Sequence, residues 1–401
     1  MTTSQRTNWD ERLAALGSAP TTQQMLTHLQ TNFEAVLDEI ITICEIPAPS
    51  FDERERAEYI ARRMQDLGLS DVTIDPVNNV IGRYPGAVSK ARLAVCAHID
   101  TVFPRTVEIS VQRGPDRLAA PGIGDNAASV GAMLHLAAAW RAADYQPPFD
   151  VLFVGNSCEE GLGDLKGIKG FLDEYAPRED VDLAAIICLD GHLGEITNAG
   201  IGSRRLKVTA RAKGGHSWAD FGSPSAVHAL GACIEGIARL PVPKEPRTTY
   251  NVGVVAGGTS VNTIAEEAWM LIDMRSVAPE PLRQLEAQVR EIIAARCREF
   301  GAVPEIEVVG DRPVGRIPDS HPLVQLAQAA GRRLGLELPT RAASTDANVP
   351  LSRNIPAITV GLYAGEGAHR ESEFIVPSSL RVGLPLGLLI LLAAVDWLVA
   401  A

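Results

Sequence analysis

Four short apolar runs constrain this chain more than any other feature: LAVCA at 93–97, VLFV at 151–154, AAIICL at 184–189 and AITVGL at 357–362. They are rich in β-branched residues and apolar at successive positions, not alternate ones. That is the pattern of strands covered on both faces, as in a parallel sheet between helices. The segments NAASVGAMLHLAAAWRAA and LKGIKGFLDEYA between the first three runs have helical period. Strands and helices therefore alternate, which predicts an α/β fold with a mostly parallel sheet. Upstream, residues 25–68 read as helices interrupted at Pro47 and Pro49.

The pattern changes between about 199 and 312. RRLKVTAR reads as a strand, SAVHALGACIEGIARL as a helix, TYNVGVVAG and EAWMLIDMR as strands, PLRQLEAQVREIIAARCREF as a helix and EIEVV as a strand. This βαββαβ order is that of a self-sufficient ferredoxin-like sandwich. Because the α/β strands resume after it, it is an insertion. The expected organisation is a discontinuous domain, 1–198 with 313–401, carrying an inserted domain at 199–312. A length of 401 residues suits two cores.

A net charge of −12 argues against a nucleic-acid partner, which needs a basic face. The six cysteines stand singly, with no Cys-x-x-Cys pair, and fit a reducing cytoplasm. Residues 1–20 are polar and contain no secretory-signal core. The stretch GLPLGLLILLAAVDWLVAA at 383–401 is nearly long enough to span a bilayer. Asp396, Pro385 and the missing basic flank favour a buried terminal helix, so no membrane partner is expected.

In open α/β sheets ligands collect beyond the carboxyl ends of the strands. Here each apolar run leads to a metal-ligand type: His98-Ile99-Asp100, Glu159-Glu160, Asp190, and a Gly-rich loop ending at His369. Asp125, in the tight loop PGIGDN, is a fifth candidate. Two imidazoles and several carboxylates on one rim compose a site for more than one zinc-type ion. His98 and Asp100 are two apart on an extended segment and point the same way, so Asp100 can orient the far nitrogen of His98. Asp125 offers two oxygens in a glycine-supported turn, which suits a bridge between two metals. Glu159 and Glu160 are adjacent and must diverge: one can bind a metal while the other takes a proton from water. Singly, each acid reads as readily as a helix cap, but four matched strand ends do not.

The motifs AHIDTVFP, PGIGDNAASVGAM, CEEGLGDLKG, LDG, KGGHS, GGTSVNTIAEEA with IDMRS, STDANVP and GAHRESEFI follow in order along almost the whole chain. Together they resemble the M20 family of metallopeptidases, the dimetal exopeptidases and deacylases. The resemblance implies a zinc-exopeptidase-like catalytic domain with an inserted lid. It implies His98 and Asp190 on one metal, Glu160 and His369 on the other, and Asp125 bridging. Asp100 would orient His98, and Glu159 would be the general base that activates the water between the metals. His216, Asn262 and Arg275, all in the insertion, would grip substrate, Arg275 by binding a carboxylate with its planar fork. His216 would reach across a homodimer formed through the lid. His135, His192, His228 and His321 are left as structural.

The chain departs from many relatives at Ala127, where Lys is common, and has Asp190 where others have Glu. Asp there is commoner among dipeptidases, tripeptidases and aminoacylases than among biosynthetic deacylases. The expected function is a cytoplasmic exopeptidase cleaving di- or tripeptides with two divalent ions, zinc before cobalt or manganese. The alternatives are an N-acyl- or N-carbamoyl-amino acid amidohydrolase and, further off, a non-catalytic binding protein on the same fold.

Overall fold

The computed structural model describes residues 8–400. Residues 1–7 of the polar N-terminal stretch and Ala401 lie outside the described residues. The chain divides into two compact units, Met1–Ala199 with Arg316–Ala401, and Gly200–Gly315. These boundaries lie one and three residues beyond those expected from the sequence.

In the first unit the four apolar runs form the central strands β1 (Val88–His98), β2 (Phe149–Asn156), β3 (Val181–Leu189) and β4 (Ala357–Val360). Their order is β2-β1-β3-β4, and every neighbouring pair is parallel. Residues 93–98 of β1, all of β2, 185–189 of β3 and all of β4 are buried, as unbroken apolar runs require.

The margins of the sheet add antiparallel strands to this parallel centre. Val80–Tyr84 lies antiparallel on β2, Ser70–Ile74 antiparallel on that strand, and Ile196–Gly200 antiparallel on β4. For the outermost pair, Ser70–Ile74 with Val80–Tyr84, the reason is connection length. The turn at 75–79 is closed by Asp75, whose Oδ1 accepts the N–H groups of Val77 and Asn79, each at 2.9 Å. A turn that short joins antiparallel neighbours, whereas parallel neighbours need a crossover of a dozen residues or more.

The terminal helix Leu380–Ala400 is long and apolar enough to cross a membrane, with mean hydropathy 2.2, yet 72% of that apolar window is buried inside the unit. A Cβ on Gly383 would lie 1.6 Å from the Leu362 carbonyl oxygen, so glycine permits the close approach. Asp396, near the end of the helix, pairs with Arg12. All six cysteines are buried free thiols.

The second unit has the expected βαββαβ order. Its strands pair antiparallel in the order Thr248–Gly257, Glu267–Ser276, Gly202–Arg211, Val303–Arg312. Exposure alternates strictly along Glu267–Ser276, the period of a strand with one buried face. The helices Ala226–Ala238 and Pro279–Glu299 pack on that strand and on each other. They enclose a separate core that includes Leu206, Leu230, Met270, Ile272, Val289 and Ile293.

Candidate metal centre

His98 is the last residue of β1 and is buried. Its Nδ1 lies 3.2 Å from the backbone carbonyl oxygen of Asp100 and 3.5 Å from the Asp100 carboxylate. Both are acceptors, so the ring's proton belongs on Nδ1 and a neutral ring presents a bare Nε2. That Nε2 lies 3.0 Å from Asp125 Oδ1 and 3.9 Å from Asp190 Oδ1. On the other side, His369 Nε2 lies 3.1 Å from Asp125 Oδ2 and 3.1 Å from Glu160 Oε1. The two oxygens of Asp125 therefore face two different imidazoles. Ligand atoms of His98, Asp125 and Glu160 all lie within 4.8 Å of one another.

A lone pair facing a carboxylate oxygen at 3.0 Å repels it, so the imidazole must either take a second proton or share the oxygen with a cation. The charges say the same. Burial opposes a charged His98 ring, yet hydrogen bonds to Asp100 and Asp125 raise it well above the usual histidine range. Hydrogen bonds to Asp125 and Glu160 push His369 up to about 10. Although burial works against it, the two histidines hold the Asp125 carboxyl well below the carboxylate range. Asp190 moves the other way, raised by burial and by the charges of Asp125, Asp346 and Glu160, against the pull of His98. So many buried acids in one place call for a positive counter-charge. Two atoms ligating one tetrahedral ion at about 2.1 Å stand roughly 3.4 Å apart, close to these imidazole–carboxylate separations. The residues present fit a pair of divalent ions.

Asp100 does more than orient a histidine. Its Oδ1 accepts the Glu159 N–H at 2.9 Å, its Oδ2 accepts the Glu160 N–H at 3.0 Å, and Ser50 Oγ donates to Oδ2 at 2.6 Å. One buried carboxylate thus ties the end of β1 to the glutamate pair beyond β2. The sequence carries no signal for Ser50. At the end of β2, Asn156 Nδ2 donates to Asp346 Oδ2 at 2.7 Å, placing Asp346 of the STDANVP motif under the same rim.

Glu373 was also not singled out from the sequence. It is 2% exposed, and its carboxylate accepts the N–H groups of Gly122, Gly124 and Asp125 at 2.8, 2.9 and 2.7 Å. Burial pushes its carboxyl up, against those donors, to about 7. The available signal was an acid standing directly before the apolar strand Phe374–Val376.

The three residues expected to grip substrate all lie in the inserted unit. His216 and Asn262 come together there: Gly215–His216 pairs with Thr263–Ile264, and the Ser217 N–H donates to the Asn262 carbonyl at 3.0 Å. His216 Nδ1 accepts from the Trp218 and Ala219 N–H groups, and both His216 and Asn262 are exposed. Arg275 stands on the Glu267–Ser276 strand, its side chain 41% exposed, with Nε donating to Asp273 at 2.6 Å. Of the histidines left as structural, His321 caps the helix Pro322–Arg333 by accepting the Leu323 N–H at 3.2 Å.

The model of peptidase family M20/M25/M40 matches residues 94–392. The chain is 25% identical to a succinyl-diaminopimelate desuccinylase of Corynebacterium glutamicum over 87% of this chain and 95% of that one. A tripeptidase of Staphylococcus aureus superposes with a TM-score of 0.76, at 20% identity, over 90% of this chain and 99% of that one. A dinuclear metal binding peptidase of the M20 family from Bacillus subtilis superposes with a TM-score of 0.67, at 18% identity, over 92% and 99%. At these identities the solved structures speak for the fold.

Proposed function

The chain belongs to peptidase family M20/M25/M40 and is a hydrolytic enzyme, and from that premise we propose that it is a two-metal exopeptidase acting on di- or tripeptides. The observation that carries the reading is Asp125, whose two oxygens stand 3.0 and 3.1 Å from the Nε2 atoms of two different histidines. His98 and Asp190 would hold one divalent ion, Glu160 and His369 the other, and Asp125 both; zinc suits the donors, and cobalt or manganese would also fit. Bound there, the ions supply Lewis-acid polarisation of the scissile carbonyl and lower the pKa of water. Glu159, buried beside Glu160 and held through its N–H by Asp100, takes the proton of the attacking water and passes it to the leaving amine. Arg275 would bind the substrate carboxylate; His216 and Asn262 stand beyond the opposite end of the Glu267–Ser276 strand, so they would grip a substrate held by Arg275 from the partner subunit.

An N-acyl- or N-carbamoyl-amino acid amidohydrolase is the second reading, favoured by the relationship to a desuccinylase. The same rim serves either substrate, and the choice lies with the segments 256–264 and 341–346. The decisive experiment is hydrolysis of a panel of free peptides, N-acetyl and N-carbamoyl amino acids by metal-stripped enzyme, with and without added zinc, cobalt or manganese. Metal-restored cleavage of peptides is expected; restored cleavage of acylated amino acids alone would move the assignment to the second reading. The proposal includes a reducing cytoplasm, supported by the six free buried thiols. It also includes a homodimer through the inserted unit, supported by the exposed Trp218, Phe221 and Val261 there. A monomer by light scattering would remove the cross-subunit role of His216.

A further inference from the structure

We propose that Glu373 is a positioning residue that sets the Asp125 bridge and the His369 turn as one rigid piece, so that the affinity of the site for its second ion depends on it. The inference rests on the two-metal reading above. Glu373 reaches the Asp125 loop twice. Its side chain takes the N–H groups of Gly122 on Oε2 and of Gly124 and Asp125 on Oε1. Its backbone carbonyl accepts the Ala120 N–H at 3.0 Å, and the strand that follows pairs with Leu118–Ala119.

The same residue closes the turn that presents His369. The Glu373 N–H donates to the Arg370 carbonyl at 3.1 Å, and the Arg370 N–H to the Gly367 carbonyl at 2.9 Å. The loop carrying the bridging carboxylate and the turn carrying a histidine of the second site are therefore held by one side chain and its own backbone.

Three N–H groups converging on one carboxylate make an anion nest, here filled by the protein's own glutamate. A buried carboxylate is a costly way to tie a turn, since a neutral acceptor could take one or two of the N–H groups without desolvating a charge. What the carboxylate adds is direction. It fixes the N–H of Asp125 itself, and so the backbone from which the side chain carrying both oxygens projects. Gly124 completes the cradle: a Cβ there would meet Glu373 Oε1 at 2.7 Å and the Tyr363 hydroxyl at 2.8 Å. Glutamine keeps the size of Glu373 but sets an NH₂ against a backbone N–H on one side, so Glu373→Gln removes the direction with little change in packing.

The test is titration of metal-stripped, full-length protein with Co(II), read by the visible absorption of the bound ion. Wild-type protein should take up two ions. Glu373→Gln should bind the second at least tenfold more weakly, with an altered spectrum. If Glu373→Gln took up two ions with wild-type affinities and an unchanged spectrum, the positioning role would be gone, whatever the variant's melting temperature. Wild-type protein binding fewer than two ions would remove the two-metal reading and this inference with it, an outcome seen before any variant is made. Should Glu373→Gln not fold, amide exchange of the wild type decides: slow exchange at Gly124 and Asp125 supports the cradle, and exchange at the rate of open loops overturns it.

Discussion

The two units of this protein treat their chemistry-bearing residues in opposite ways. In the first, His98, Asp100, Glu159 and Glu160 are buried and held in place by their own fold, while His369, its side chain 56% exposed, is held by Asp125 and Glu160. In the second, His216 and Asn262 are exposed, Arg275 is partly so, and the surface around His216 carries uncovered Trp218 and Phe221. On the proposed function, the difference separates two tasks. Bond cleavage needs groups preset to within a fraction of an ångström, which burial and hydrogen bonding supply. Holding a substrate needs groups that remain accessible until it arrives.

If that contrast is right, substitutions at the rim act on kcat and on metal content, and substitutions in the insertion act on KM. The largest effect is expected from Glu159→Ala, a loss of about 10²–10⁴-fold in kcat, the usual worth of a general base. Its metal content by atomic absorption should stay that of wild type. Intact turnover would show that Glu159 is not the base.

Asp100→Asn should come next. Its amide would set N–H against N–H at Glu159 or Glu160, and metal affinity should fall about 10–100-fold, as for other groups that orient ligands. Competition with a chelator measures it, and wild-type affinity would mean that the glutamate pair needs no such anchor. Arg275→Ala should raise KM about tenfold or more, the worth of a charge-assisted hydrogen bond at about 1.5–3 kcal/mol, with kcat nearly unchanged. A fall in kcat at constant KM would instead move Arg275 into the chemistry and erase the contrast between the units.

The smallest change is expected at Trp218→Ser in the dissociated monomer, a shift in unfolding free energy within about 0.5 kcal/mol by urea denaturation at low protein concentration, because the ring is 88% exposed in the single chain. A much larger loss at low concentration would mean that the ring is covered within the single chain, whereas a loss that grows with protein concentration would report the proposed homodimer.

Most of the architecture was legible because its signals are local. A run such as VLFV carries its burial on its face, and the strict alternation of EAWMLIDMR marks a strand with one wet side. The antiparallel margins were not legible, since pairing direction depends on which strands meet, and the apolar pattern of Val80–Tyr84 is the same either way. The terminal helix reads equally as a membrane span or a core helix by composition, and only the structure shows 72% of its apolar window buried.

The candidate site divides in the same manner. The sequence by itself determined the order of the ligand types along the chain and their place at strand ends, because strand period and the α/β alternation are properties of neighbouring residues. Only the tertiary structure decided that each oxygen of Asp125 faces a different imidazole, that Asp100 grips the backbone of both glutamates, and that Glu373 holds a loop some 250 residues before it. Those are contacts between segments far apart in the chain, and no local spacing encodes which hydrogen-bond donor will meet which acceptor once the strands have packed.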